Sequence, residues 1–569
     1  MLLTIDNHTI EATAGETLLS LIARAGLQDD DMLLKPLAAQ IGGEIFHLNY
    51  VPLRMKDGVI TPRTAVQNAG GAITLLRHGD TMGRRVYERT LLFVFILAVR
   101  KKFPGARVLV QYALGEGLYV QLEKSPALSK ADTELLKEEC ARIIAADLPL
   151  ERERLDIADA VSFFSDDGQI DKVRLLQWRK FSYFDVYRQS GYMDYFYGEM
   201  APSTAYARVF DLAFLHPGLV LLLPDHENPN TPSQYVHSPQ LFAVFAQSDE
   251  WGRLLHCANV ADLNDMVANH SIRELVRVSE ALHEKSYATL ADRIVERGAR
   301  AVLLAGPSSS GKTTSANRLY TQLRVLGKSP ILLSLDDYYI DRDRVPRDEF
   351  GEIDLEHINT IDTAQFRKDL ELLLAGEPVE IPRFDFKQGR RAPKGHLLHV
   401  GPDEPLIIEG IHGLNPALLS ASIPMESIFR VYVSALTTLN LDDHNRIRTT
   451  DMRLLRRMVR DYETRGASVE KTLSMWPSVR RGEDRWIFPY QEQADAFFNT
   501  ALVYEPAVLK KHIFPLLKAV PEESPYFCMA RDLVKFLNYF ADAEIEDEIP
   551  PTSILREFIG GNAFYRTFD

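Results

Sequence analysis

The spacing of apolar residues changes several times along the chain, and each change marks an element. Leu2-Leu3-Thr4-Ile5 alternates, breaks at Asp6-Asn7 and resumes to Ala12, which predicts two short strands around a turn, then a helix opened by Thr13 or Gly15 and running through Ala25. From His78 to about Leu223 the pattern is α+β: an apolar helix around Thr90 to Val99, a strand from Arg107 to Tyr112, a turn at Gly115-Glu116-Gly117 and a strand from Leu118 to Leu122. Asp225 to Pro239 is rich in Pro, Asn and Ser and reads as a linker or long loop; a helix follows near Ile272 to Glu296, and Gly298 ends it. Beyond it the chain alternates apolar runs with helical stretches. Ala301–Ala305 leads to a helix from Thr314 to Leu326 ended by Gly327, Pro330–Leu335 is a strand, and Leu406-Ile407-Ile408 is a second buried strand. That order predicts an α/β layer with a parallel sheet.

Composition narrows the class. At 569 residues the chain is too long for one core. Its 46% hydrophobic and 25% charged content is that of soluble globular proteins. A net charge of -14 argues against a general affinity for nucleic-acid backbone and favours a small-molecule role. Cys140, Cys257 and Cys528 show no CxxC spacing, so neither a disulfide framework nor a zinc knuckle is encoded and a reducing cytoplasm fits. The N-terminus lacks a basic region followed by an apolar run, and the longest apolar stretch, Leu91 to Val99, is about half of what a bilayer requires, so neither a leader nor a membrane span is expected.

The strongest chemical signal is Gly306-Pro307-Ser308-Ser309-Ser310-Gly311-Lys312-Thr313-Thr314, set between a strand and a helix. Glycines at 306 and 311 let the backbone wrap a phosphate, with Ser308, Ser309, Ser310 and Thr314 completing the cradle. Lys312, expected in a solvated loop, supplies a cation for the β- and γ-phosphates, and Thr313 offers its hydroxyl to Mg²⁺. Asp336 and Asp337 follow one strand and Glu409 ends another, at the sheet edge where α/β folds bind ligands. Asp336 is the candidate base. Glu409 is the second candidate for holding Mg²⁺, directly or through water.

Ile381-Pro382-Arg383-Phe384-Asp385-Phe386 lies between these strands, and Arg456-Arg457-Met458-Val459-Arg460-Asp461-Tyr462-Glu463-Thr464-Arg465-Gly466 follows them. In this order the motifs resemble the uridine kinase and phosphoribulokinase family, over about Arg300 to Ala507. The resemblance implies that Asp336 accepts or orients the proton of an attacking hydroxyl. It also implies that Asp354 holds ribose hydroxyls, that Tyr339, Phe384 and Arg391 line the acceptor pocket, and that Arg457, Arg460 and Arg465 are catalytic lid cations beside Lys312. Phe384 stands where uridine kinases have tyrosine, Gly389 where they have histidine, and Ala467 and Met475 replace a lid arginine and a glutamine. The phosphate chemistry is kept; the groups that read the pyrimidine are not.

Residues 1–75 resemble the TGS module, a β-grasp domain, and residues 76–224 resemble the second N-terminal domain of threonyl-tRNA synthetases. The editing constellation of that domain is incomplete here: His78 stands alone, Met82 occupies its partner's position, and Gly198-Glu199-Met200-Ala201-Pro202 has neither cysteine nor histidine. The expected architecture is therefore a TGS-like domain (1–75), a degenerate synthetase-like α+β domain (76–224), a linker with a helical segment (225–295), a three-layer P-loop kinase domain (296–524) with a mobile lid at about Leu441 to Phe488, and a helical tail (525–569) packed back on the kinase. The resemblance implies ATP and Mg²⁺ as cofactors and a nucleoside or sugar-like polyol as acceptor. A transfer-RNA contact through the N-terminal domains and self-association stay open. The rival reading is a GTPase-type or RNA-associated switch. Asp348-Glu349-Phe350-Gly351 could pass as its DxxG, but the nearest guanine-reading motif, Ser129-Lys130-Ala131-Asp132, precedes the P-loop and is in the wrong order.

Overall fold

The computed structural model describes residues 1–565. Near the N-terminus, β1 (Leu2–Ile5), β2 (His8–Glu11), α1 (Leu18–Arg24), β3 (Ala38–Ile41), β4 (Glu44–Phe46) and β5 (Ala72–Leu76) form a mixed sheet in the order β2-β1-β5-β3-β4. Leu3 and Ile5 point into its core, as period-two burial requires. The helix starts later than expected: Gly15 sits at φ +86 and Thr13 bonds Glu16, while Thr17 caps α1 by accepting from the Ser20 N–H at 3.2 Å.

Next, α2 (Thr81–Lys102) packs on the antiparallel sheet of β6 (Arg107–Leu114), β7 (Gly117–Glu123), β8 (Asp211–Leu215) and β9 (Gly218–Leu222), ordered β8-β9-β7-β6. The Leu91 to Val99 run is the buried face of α2. No described helix is long and apolar enough to cross a membrane.

The expected linker is not a free tether. Asn230 bonds Asp31 and the Met32 N–H, and the His226 N–H donates to Glu116. The helices that follow belong to the body of the C-terminal half: α3 (Pro239–Leu254) is pinned by Gln240 to the Glu492 and Ala494 carbonyls, and α4 (Ile272–Arg297) covers one face of the sheet below.

That sheet is built from β10 (Ala301–Ala305), β11 (Ile331–Ser334), β12 (Leu406–Glu409), β13 (Ile428–Ser434) and β14 (Ala496–Asn499), all parallel, in the order β11-β12-β10-β13-β14. β10 is central and buried along its whole length, the environment in which a parallel strand reads as a continuous apolar run. Val302 and Leu304 face α4 and α5 (Lys312–Val325), while Leu303 faces α6 (Thr363–Leu374), so the arrangement has three layers.

The sheet's carboxyl edge is roofed by α7 (Thr449–Arg465) and α8 (Val469–Trp486). The stretch expected to open a mobile lid is fastened: Lys172, Asp194 and His444 form a buried cluster, with Lys172 Nζ 3.1 Å from Asp194 and His444 Nδ1 2.7 Å from it. Arg107 pairs with Asp443, and Arg448 with Glu88. Leu441 to Arg448 is thus bound into the middle of the molecule. Beyond α9 (Glu505–Lys518), the tail helix α10 (Phe527–Leu537) packs on more than the kinase half, since Asp532 pairs with Arg85 and Arg531 with Glu44.

Asp249 on α3 lies by Tyr112 and Tyr119, where burial pushes its carboxyl up to about 7, offset only in part by Arg253. An acid whose folded pKa is raised loses stability as pH climbs from its unfolded value, about 3.9, to its folded one. Asp249→Asn removes that loss. Urea unfolding is expected to show a gain of about 2 to 4 kcal/mol at pH 8 that vanishes below pH 4; an equal gain at both pH values would contradict the burial argument.

Candidate active site

The loop between β10 and α5 can take its path only with glycine at both ends. A Cβ on Gly306 would fall 1.9 Å from the Val433 carbonyl, and Gly311 holds φ +84 at the N-cap of α5. Ser309 adopts φ +59 between them. The loop therefore curls with its N–H groups around the helix start, the geometry of an anion cradle.

Three arginines of α7 brace this curl from outside. Arg453 Nε donates to the Ser308 carbonyl at 3.0 Å and pairs with Glu483, whose Oε1 accepts from the Ser308 N–H at 3.0 Å. Arg456 donates to the Thr500 carbonyl at 2.8 Å and pairs with Glu505. Arg457 Nη1 donates to the Ser308 hydroxyl at 2.7 Å. Ser309 Oγ and Ser310 Oγ are buried without a hydrogen-bond partner among the described residues, so the cradle keeps polar capacity for a ligand.

Lys312 is the first residue of α5, half-buried, and its Nζ donates to the Pro307 carbonyl at 3.0 Å. It does not lie in a solvated loop: the helix begins two residues earlier than expected and carries the lysine into the site. Burial lowers its pKa, against the opposing pull of Glu409, Glu557, Asp336 and Glu356.

Around it stand carboxylates from three strand ends and loops. Glu409 accepts from the Ser334 hydroxyl at 3.0 Å, and burial together with Asp336 pushes it up to about 7. Burial likewise raises Asp336, while Lys312, Arg465 and Arg460 act to lower it. Asp337 faces away, toward His396 and Arg383. No three His, Cys, Asp or Glu side chains among the described residues form a metal site of their own. Thr313 and Glu409 fit a divalent ion that takes its remaining oxygens from nucleotide phosphates and water, the usual manner of Mg²⁺.

Arg457, Arg460 and Arg465 converge on Asp461 at 3.3, 2.9 and 3.4 Å. On the far side, Tyr339, Phe384 and Phe386 form an aromatic group with centroids 5.1 to 6.0 Å apart. It borders an open hollow of about 690 Å³ flanked by Lys387 and Lys394. Gly389 could not be the family's histidine without strain: its φ is +67 and a Cβ would lie 2.5 Å from Arg342 Cδ. Asp354 is buried and accepts from the Glu356 N–H at 3.1 Å. Arg391 departs from expectation. Its Nε, Nη1 and Nη2 donate to Tyr339 O, Gln365 Oε1 and Tyr338 O, so it holds the turn that carries Asp336. Asp348, the candidate DxxG residue, caps a turn through the Phe350 and Glu352 N–H groups and pairs with Arg481.

Sequence reasoning missed Glu356, pushed up to about 7 chiefly by burial, and the pairs Arg453–Glu483 and Arg456–Glu505. Arg456 opens the stripe whose Arg457, Arg460 and Arg465 the resemblance makes lid cations, and Arg453 lies one turn before it; the acids that meet Arg453 and Arg456 lie 30 and 49 positions away.

The model of the Phosphoribulokinase / Uridine kinase family matches residues 302–503. A uridine kinase of Lactiplantibacillus plantarum is 29% identical over 191 residues, covering 33% of this chain and 81% of that protein. One of Bacillus pumilus is 30% identical over 193 residues, covering 34% and 82%. A solved structure titled as a possible uridine kinase from Bacillus stearothermophilus is 18% identical with TM-score 0.26, covering 38% of this chain and 98% of that one.

Removing Glu483 strands a fully buried guanidinium and frees the Ser308 N–H. Glu483→Ala is therefore expected to cost about 3 to 5 kcal/mol in denaturant unfolding; a loss under about 1 kcal/mol would mean that Arg453 finds another partner.

Proposed function

The chain belongs, through residues 302–503, to the phosphoribulokinase and uridine kinase family, and from that premise we propose that it moves the γ-phosphoryl group of ATP to a hydroxyl of a nucleoside or a related sugar or polyol. It is an ATP-dependent kinase with a hydroxyl acceptor. One observation carries the finer reading: Asp336 lies within electrostatic reach of Lys312, Arg460 and Arg465 at the carboxyl edge of the sheet.

In this reading the loop Gly306–Thr314 binds the phosphates, with Lys312 on the β- and γ-groups. Thr313 and Glu409 would hold Mg²⁺, which supplies charge neutralisation on the phosphates when bound. Asp336 takes the proton of the attacking hydroxyl. Arg457, Arg460 and Arg465 exchange part of their hold on Asp461 for the phosphoryl group in flight, where pre-placed charge does most of the work. Asp354 orients acceptor hydroxyls, and Tyr339 and Phe384 pack on the acceptor's apolar face. Because Phe384 and Gly389 lack base-reading groups, the acceptor is chosen by its hydroxyls more than by its base. The N-terminal units, 1–75 and 76–224, are read as TGS-like and synthetase-like modules without editing chemistry. Supporting this, His78 is buried against Tyr87 with its pKa held at about 4 chiefly by burial, so it stays neutral.

The test is nucleotide consumption by the full chain against nucleosides, sugars and polyols, with Lys312→Ala as the inactive control. Asp336→Asn is expected to bind nucleotide and lose about 10² to 10⁴ in transfer rate, and Asp337→Asn to be much milder. Equal losses would put the base on another carboxylate. A strong preference for uridine and cytidine over other nucleosides and ribose-like polyols would show that the base is read after all.

A further inference from the structure

The last described segment of the chain returns to the far end of the P-loop, where α5 begins, and engages Thr314 and Gly311. Glu557 Oε2 accepts from the Thr314 N–H at 3.2 Å and from its hydroxyl at 2.7 Å. Asn562 Nδ2 donates to the same hydroxyl at 3.0 Å. Ile554 crowds Gly311 so closely that a Cβ there would come within 2.8 Å of it. Phe558 is fully buried with its ring 5.1 Å from the guanidinium of Arg456, the arginine that also reaches Thr500 beside the loop.

These contacts are those a nucleotide makes. N–H groups of a P-loop cradle α- and β-phosphates, and a carboxylate on the Thr314 N–H is an anionic acceptor in that position. A planar ring on a guanidinium face is how arginine receives a base. The carboxylate and the ring come from neighbouring residues, as phosphate and base come from the two ends of one nucleoside monophosphate. Gly560 and Gly561 follow, both at positive φ, and turn the chain back so that Asn562 reaches the same threonine. Half-buried Glu557 thus puts a carboxylate on a helix-start N–H beside Lys312, and its charge acts on that lysine.

We propose that Ile554–Asn562 is an internal nucleotide mimic, a displaceable tail segment that competes with the α-phosphate and base end of ATP for the P-loop. The inference rests on the kinase reading above. It makes nucleotide affinity depend on how firmly the tail is seated, and the tail is in turn anchored through Ser553, whose hydroxyl shares the Glu280 carboxylate with Tyr504.

Calorimetric titration of MgATP and of AMP into wild-type protein, Glu557→Ala and Glu557→Gln tests it. Both variants are expected to bind MgATP and AMP about tenfold or more tightly than wild type, the scale of one lost charge-assisted competitor. Hydrogen exchange of residues 554–562 in the wild type is expected to rise when MgATP is added. Equal or weaker binding by the variants, or added protection of the segment by MgATP, would overturn the mimic and make the tail a permanent wall of the site. Absence of MgATP binding by wild type and both variants would instead sink the kinase reading.

Discussion

Two buried ion pairs beneath the P-loop set the shape on which the site depends. Arg453–Glu483 and Arg456–Glu505 place four charged side chains in the interior with almost no exposure. Such pairs are expensive to desolvate and return little net stability. What they supply here is donors in excess: each guanidinium, after pairing, has N–H groups left for the Ser308 or Thr500 carbonyl, and the Glu483 Oε1 that takes Arg453 also accepts from the Ser308 N–H. The strained turn through Ser309 is thus held by side chains before any phosphate arrives. A cradle fixed in advance does not have to reorganise at the moment of reaction.

The same helix ties the catalytic half to the rest of the chain. Its approach, Leu441 to Arg448, is welded to the middle unit by Arg107–Asp443, Glu88–Arg448 and the Lys172–Asp194–His444 cluster. Its start is held by Asp451 on Arg85, which also takes Asp532 from the tail. Only the end of α7 is loosely held: the Arg465 side chain is 59% exposed and Gly466 stops the helix at φ +62. Rigidity therefore falls along α7, from the arginines that brace the loop to those that face Asp336. The N-terminal units are structural neighbours of the P-loop at one remove, through a helix that both share.

How much of this could be read from sequence depended on the range of the interaction. The P-loop, its strand and its helix are local: an apolar run, two glycines whose φ and close approach no other residue tolerates, and a helical stretch. β10 and β12 were equally legible, because burial on both faces writes itself as a continuous apolar run, and β11 was read beside them, whereas β13 and β14 were not. Lys312 went astray by two residues of helix boundary, which was enough to turn a solvated loop into a half-buried helix start. Arg391 was carried over from a motif, and only the fold reveals that it bonds the Tyr338 and Tyr339 carbonyls and Gln365. Glu483, Glu505 and Glu557 left no trace, since an acid that meets its partner across 30, 49 or 243 positions looks like any surface acid. The fastening of residues 441–448 was hidden for the same reason.

The charges of the site also constrain what enters it. Lys312 feels four carboxylates, from Glu409, Glu557, Asp336 and Glu356, while Arg457, Arg460 and Arg465 converge on Asp461 and also act on Glu356 or Asp336. Glu356 and Glu409 both rise to about 7, so near neutral pH the site already holds back part of its negative charge by keeping protons. A bare triphosphate would add negative charge beside these acids and deepen the repulsion. A divalent ion reverses the balance, because it offers the acids a partner at the same moment as it screens the phosphates. Under the proposed kinase reading, this carboxylate pattern favours metal-bound triphosphate over free triphosphate, and Arg457, Arg460 and Arg465 can trade part of their hold on Asp461 for a phosphoryl group.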